Sequence, residues 1–471
     1  YSGGLDTTAI IPWLKENFEN VCVLCSQLCA DALDNPCRNL SEFWKVFFVG
    51  KAGGANENFV RMNFLQRTKF ILGTYIFLYD KEKRIIMKKN SMAYDTAVYS
   101  LWFGLNYGSI LTACALYKTL EQYGKHPALL QKQPALWGEH YAEKDNIAGC
   151  FAYQNCDVLE VFDSEEDARI LREDVQNHVV GSDVVWNYEV VGKQSGLYYF
   201  LENVPADKRK IAYASCFGGA FTAEGETRND CGRLLHQFNG IAVKEYEEAE
   251  VLQDLFHITP EMVLDPVFLC DKQFYIDCAE RSAAKAVETD QSFIFTYIEC
   301  CDDRKRQFLL KGNDILLVNH YSQLRNFIDI NRFPESKALL KLDPAYHIRV
   351  EDWLYYLIHS EFVITDNYYG MCFALIFEKP FVVLANMDLP DLYRYRAILQ
   401  PLGLEERLVI LQEDLKKKEY LFRKPIRYDR VNRVLQKMKQ DSEVWLKQQL
   451  GIAVPDSVAT TSNPQEQAVG K

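Results

Sequence analysis

The chain has 471 residues, 48% of them hydrophobic and 25% charged, the composition of a folded protein with a sizeable core. At about 150 residues per domain, this length corresponds to about three domains, or to two large lobes with an appendage. With 53 basic and 65 acidic residues the net charge is −12, which argues against a phosphate polymer such as a nucleic acid as partner and leaves room for a local basic pocket.

The chain opens on YSGGLDTTAIIPWLKENF, in which SGGLDT has the form of a phosphate-cradling loop followed by a helix start. Glycine lets a phosphate approach the backbone, and the helix end supplies partial positive charge. Ser2, Gly3, Gly4, Asp6, Thr7 and Thr8 would hold ATP there if the loop were functional. Such a loop is presented by a strand, and only Tyr1 precedes it, so a fragment at the edge is expected rather than a working site. NVCVLC then reads as a strand. Cys22, Cys25, Cys29 and Cys37 are the tightest group among 14 cysteines; their spacing reads better as strand and loop residues than as a metal site, and no metal is expected. FILGTYIFLY (70–79), between Lys69 and Asp80, falls short of the ~20 apolar residues needed to cross a bilayer and reads as a strand. With no membrane span and no secretory signal before the scattered cysteines, a reducing cytoplasmic location is expected. Residues 1–91 are expected to be an appended segment.

From Tyr94 the pattern becomes regular. DTAVYSLWF reads as a strand and GLNYGS as a turn. ILTACALYKTLEQYG reads as a helix stopped by Gly124, and PALLQK as a second strand. DSEEDARILRED starts like a capped helix. HVVGSDVVW, RKIAYASCF, GIAVKEY and MVLDPVFL read as further strands, with AEVLQDLF helical between them. A second set follows: SFIFTYI, DILLVNH, EFVITD, PFVVLAN and RLVIL as strands, WLYYLIHS and GMCFALIFE as helices. Short strands that are apolar throughout belong to parallel sheets buried on both faces. The expected fold is therefore α/β, with two doubly wound Rossmann-like lobes over 92–284 and 285–450. A helix at 429–449 carries Val431, Val434, Leu435, Met438 and Trp445 on one face, and a disordered tail is expected from 451. Cys114, Cys216, Cys270 and Cys372 fall in apolar runs and read as small hydrophobes.

Ligands of such sheets bind beyond the carboxyl ends of the strands, which directs attention to the loops there. Asn106, Tyr107 and Gly108 stand at a helix start, able to hold an anion or a sugar, or simply to turn the chain. Gly181, Ser182 and Asp183 end a strand; Asp183 could bind a sugar hydroxyl, act as a base, or cap a helix. Trp186 reads as a sugar platform or as core, Arg394 and Arg396 as anion ligands or as solvated surface, and His320 as an acid or a structural residue.

Two resemblances attach to these stretches. YSGGLDTTAIIPWLKENF is similar to the start of argininosuccinate synthase, with its ATP pyrophosphatase loop, as far as about Val23. From about 94 to 450, LWFGLNYGSILTACALYKTLEQYG, VVGSDVVWN, RKIAYASCFG, GIAVKE, VLDPVFL, FVITDNYYGMCFALIFEKPFVVLAN and RYRAILQPLGLEERLV resemble, in order and spacing, the polysaccharide pyruvyl transferase family. That resemblance implies a glycosyltransferase-B-like fold and transfer of a pyruvyl group from phosphoenolpyruvate to a sugar hydroxyl as a ketal, in surface-polysaccharide synthesis. It implies no cofactor, with ATP entering only through the opening loop. The family usually reads Asp-Ser-Phe-His-Gly where this chain has Asp366-Asn367-Tyr368-Tyr369-Gly370, so Tyr369 stands in the place of the implied acid beside Asp366; Val184 likewise replaces a common glutamine. A carbohydrate-binding relative without catalysis, and an argininosuccinate synthase fragment fused to this domain, are the alternatives.

Overall fold

The computed structural model describes residues 94–455, apart from 103–106, 132–146, 161–168, 189–190, 192–195, 283–292, 298–325, 330–348, 386–391, 411–417, 419 and 422. The chain divides into two units, Tyr1–Met87 and Lys88–Lys471, and every described residue belongs to the second. The opening loop, NVCVLC, the early cysteine group, FILGTYIFLY, DILLVNH and the tail from 456 lie outside the described residues.

Twelve strands form two sheets among the described residues. The first contains β1 (Thr96–Tyr99), β2 (Pro127–Gln131), β3 (Val158–Glu160), β4 (Asn177–Val180), β5 (Arg209–Tyr213), β6 (Gly240–Val243) and β7 (Glu261–Met262). Its order is β3-β2-β1-β4-β5-β6-β7, parallel throughout, with Val98 opposite Val179. The second contains β8 (Phe293–Tyr297), β9 (Asn326–Asp329), β10 (Phe362–Thr365), β11 (Phe381–Ala385) and β12 (Leu408–Ile410). Its order is β12-β11-β10-β8-β9, also parallel. Strands β1, β4, β10 and β11 are buried along their whole length, as runs such as TAVY, FVIT and FVVLA require when helices cover both faces.

The helices are α1 (Tyr107–Gln122), α2 (Ile147–Asn155), α3 (Gly225–Leu235), α4 (Tyr246–Phe256), α5 (Pro266–Leu269), α6 (Lys272–Glu280), α7 (Val350–His359), α8 (Tyr368–Ile376), α9 (Leu392–Leu399) and α10 (Tyr428–Gln449). One reading of the sequence is corrected. DPVFL is not a strand: the Asp265 carboxylate accepts the Val267 N–H and Pro266 occupies the first turn, so the apolar run starts a helix and the strand stops at Met262. DSEEDARILRED is helical where it is described, ending in a π-helical turn at Ile170–Asp174, and its start with Asp163 and Glu166 lies outside the described residues.

Strand order reverses between β1 and β4 in the first sheet and between β8 and β10 in the second. These are the switch points at which doubly wound sheets open a crevice beyond their strand ends. The segments leaving β1, β4 and β10 there are the ones that carry Tyr107, Gly181–Asp183 and Asp366–Gly370.

Helix α10 bridges the two sheets' surroundings. Near its start, the Tyr428 hydroxyl donates to the Lys379 carbonyl at 2.6 Å and Asn432 meets Glu378. Near its end, Ser442 Oγ accepts the Leu264 N–H, the Gln449 carbonyl accepts from Arg209, and Trp445 packs on Tyr213. The stripe foreseen on this helix faces the core, with Val431 buried and Val434, Leu435, Met438 and Trp445 packed against it. Cys114, Cys216, Cys270 and Cys372 are buried, unpaired thiols.

Candidate functional site

At the end of β4 the chain makes a turn that only glycine could begin. Gly181 has φ +147°, and a Cβ there would overlap the Tyr213 carbonyl of the neighbouring strand. The Gly181–Ser182 peptide is cis, and Asp183 follows in the left-handed region at φ +71°. Ser182 Oγ lies 2.8 Å from Thr112 Oγ1 on α1, and Thr112 in turn donates to Asp265 Oδ1 at 2.8 Å.

Asp183 and Asp265 are joined by Lys244, the residue following β6. Its ammonium lies 2.9 Å from Asp265 Oδ2 and 3.4 Å from Asp183 Oδ1, and its side chain is fully buried. Arg394, on α9 of the second lobe, reaches Asp183 Oδ1 at 2.8 Å and Glu245 Oε1 at 3.5 Å. The two cations therefore share one carboxylate. Beside them stand two tyrosines from the first turn of α8. Lys244 lies 4.9 Å from the Tyr368 ring centroid and 5.6 Å from that of Tyr369, and the Arg394 guanidinium is 4.6 Å from Tyr368.

Titration follows from this crowding. Burial alone would raise the Asp183 carboxyl, but Lys244 and Arg394 outweigh it and hold it below the ordinary aspartate range. Burial would lower Lys244, yet Asp265, Asp183 and the tyrosines push it well above the usual lysine value. Glu245 is pushed up by burial, only partly offset by Arg394 and Lys244. Tyr369 is 2% exposed, and burial, reinforced by Asp183 and Asp265, drives its phenol far above the ordinary range. Among the described residues, the Tyr369 hydroxyl has no hydrogen-bond partner. The Tyr369 ring lies directly over Gly108, where a Cβ would overlap it. Gly108 is thus required for close packing at the start of α1.

Asp366 contributes its main chain: its N–H donates to Tyr297 and its carbonyl accepts the Tyr395 hydroxyl at 2.6 Å. Asn367 caps α8 through the N–H groups of Tyr369 and Gly370. Other candidates are placed elsewhere. Tyr107 stacks on Trp353 and meets Tyr297 edge-on, as a packing residue. Trp186 is fully buried, stacks on Phe200 and donates its indole N–H to the Tyr199 carbonyl, so no sugar can lie on it. Arg396 pairs with the exposed Glu405 instead of joining Arg394. Asn106, His320 and the Ser2–Thr8 loop lie outside the described residues.

Lys244, Glu245, Asp265 and Thr112 were not singled out in the sequence. KEY after a strand has the look of solvated charge, and Asp265 has that of a turn; their burial follows from pairing across 21 residues of chain. Near them, Cys216, Glu245 and Glu248 bring ligand atoms within 4.8 Å of one another. Their donors are otherwise engaged. Glu248 accepts the N–H groups of Phe217 and Gly218 at 2.9 and 3.1 Å, Glu245 faces Arg394, and burial keeps the Cys216 thiol well above its usual value. Burial also raises Glu248 to about 7 from 4.5. A carboxyl that holds its proton more tightly when folded stabilises the fold fully below about 4.5 and progressively less as pH rises towards 7. We expect the wild-type melting point to fall over that window relative to Glu248→Gln. Parallel pH profiles of the two proteins would show that Glu248 is not the group responsible.

The profile of one family, described as "Polysaccharide pyruvyl transferase", matches residues 106–388, from the loop before α1 to the segment after β11. The chain belongs to the polysaccharide pyruvyl transferase family. It is a family of transferases acting on polysaccharide. Among solved structures it is similar to the UDP-GlcNAc 2-epimerase of Neisseria meningitidis, at 11% identity and TM-score 0.47 over 76% of this chain and 99% of that one. It is also similar to a glycosyltransferase of Rickettsia africae, at 11% identity and TM-score 0.44 over 77% and 100%. The N-terminal segment is similar to the argininosuccinate synthase of Agathobacter rectalis, 36% identical over 83 residues, or 16% of this chain. The pyruvyl transferase-family chain spans about a fifth of that relative's length, 20%. No helix among the described residues is long and apolar enough to cross a membrane.

Proposed function

We propose that the protein transfers a pyruvyl group from phosphoenolpyruvate to a carbohydrate hydroxyl pair. The observation that carries this reading is the pair of cations, the buried Lys244 and the partly exposed Arg394, meeting on the Asp183 carboxylate. A donor bearing both a carboxylate and a phosphate can take the place of Asp183 as their counter-ion. Tyr369 then delivers a proton to the donor methylene carbon, which becomes a methyl group, while a sugar oxygen bonds the adjacent carbon and its proton returns to the Tyr369 phenolate. A second sugar hydroxyl displaces phosphate and closes the ketal, its proton leaving with the phosphate. Asp183, ionised at neutral pH, orients the attacking hydroxyl and faces the positive charge that develops on the central carbon. Lys244 is placed to stabilise the phenolate left on Tyr369. No cofactor beyond the donor takes part.

The test is incubation with phosphoenolpyruvate and glycan acceptors, following phosphate release and the ketal methyl signal by NMR. Arg394→Ala is expected to weaken phosphoenolpyruvate binding by about 1.5–3 kcal/mol through loss of a charged hydrogen bond. An unchanged dissociation constant would remove Arg394 from the donor site.

One observation favours a second reading, a carbohydrate-binding relative that no longer turns over. The Tyr369 ring is buried against Gly108, where the implied family histidine would leave room. Acceptor binding without phosphate release supports it.

A further inference from the structure

Among the described residues, the two most exposed large hydrophobic side chains are Tyr246, 56% exposed, and Tyr393, 50% exposed. A single exposed aromatic is ordinary on a protein surface. These two are the immediate chain neighbours of Glu245 and Arg394, whose side chains meet at 3.5 Å across the two lobes. Tyr246 begins α4 and Tyr393 lies in the first turn of α9, and the two helices pack against each other. Neither ring stacks on another aromatic ring among the described residues, in a protein whose other tyrosines are largely engaged in the core.

We propose that Tyr246 and Tyr393 form a platform on which a neutral glycan lies at the edge of the ion-paired site. A pyranose presents an apolar C–H face and a hydroxyl rim; a half-exposed tyrosine offers a flat ring with a wet hydroxyl to match. A platform on each lobe, one residue from the Glu245–Arg394 contact, suits an extended chain better than a single sugar. Charge selects the kind of chain. The first turn of α4 carries Glu247, and the protein as a whole carries −12, so an anionic polymer meets repulsion there. The inference rests on the transfer reading only in taking the platform's glycan for the acceptor; the binding itself stands on the exposed rings.

The full-length protein would be run in native gels containing dextran, galactomannan, a soluble β-glucan or polygalacturonate, with its melting point as a control for folding. At least one neutral polysaccharide is expected to retard it. Tyr246→Ala/Tyr393→Ala should reduce that retardation about tenfold, since well-placed aromatic contacts dominate binding. Tyr246→Phe/Tyr393→Phe, which keeps both rings, should preserve it. Retardation by no neutral polysaccharide, by polygalacturonate alone, or equally in the double alanine variant would overturn the platform. Phosphate release from phosphoenolpyruvate is measured separately. Ring-dependent retardation without it upholds the platform and removes the transfer reading.

Discussion

Tyr369→His should raise phosphate release from phosphoenolpyruvate by about 10²–10⁴-fold at neutral pH, the usual worth of a well-placed general acid. Burial, Asp183 and Asp265 hold the Tyr369 phenol far above its ordinary range, so the natural protein keeps its proton where a donor carbon needs it. It should therefore be slow with ordinary sugar acceptors. An imidazole is smaller than a phenol and titrates near neutrality. It would also vacate part of the space over Gly108, opening the start of α1 to an anion. A natural protein that is already fast, and stays so as Tyr369→Phe, would show that Tyr369 is not the acid and make His320 the next residue to replace. Silence from both the natural protein and Tyr369→His, with every glycan tried, would favour the binding-only reading.

Lys244→Met should destabilise the fold by about 3–5 kcal/mol at neutral pH, because it strands a buried carboxylate without its cation. Among the described residues, Asp265 would keep the Thr112 hydroxyl and the Val267 N–H on one oxygen and no partner on the other. Asp183 would still hold Arg394. Lys244→Arg should recover much of the loss, since charge rather than shape is the missing quantity. Urea unfolding measures both. A Lys244→Met midpoint equal to that of the wild type would mean that the Lys244–Asp265 contact does not hold the fold together as an ion pair.

The sheets were readable because buried parallel strands leave an unmistakable trace: FVIT and FVVLA have no polar face to hide. The same apolarity misled at DPVFL, where a run of hydrophobes cannot by itself distinguish strand from helix. The distinguishing signal was the Asp-Pro pair at its head. Strand β9, NFID, is short and half polar, and carries no comparable signal. At the site, sequence pointed to the right turns and only partly to the right side chains. Asp183 and Arg394 could be chosen because each follows a strand end, but their partnership spans 211 residues and depends on how two lobes meet. Lys244 is the clearest omission. A lysine at the end of a strand is normally solvated, and only Asp265, arriving from another loop, makes its complete burial tolerable. Trp186 erred in the other direction: a tryptophan near a strand end suggests a platform until its indole is found bonded inside the core.

Helix α10 has a mechanical meaning. With 22 residues it is a rod about 33 Å long at 1.5 Å per residue, fastened near one end to Lys379 and Glu378 and near the other to Leu264 and Arg209. A rod fixed to both halves resists sliding and stretching but yields to gentle flexure. Tilting is therefore the softest motion such a rod leaves between the halves, which Arg394 and Asp183 also join at 2.8 Å. A substrate could enter by levering that contact apart, and the rod would return the halves to the same register each time.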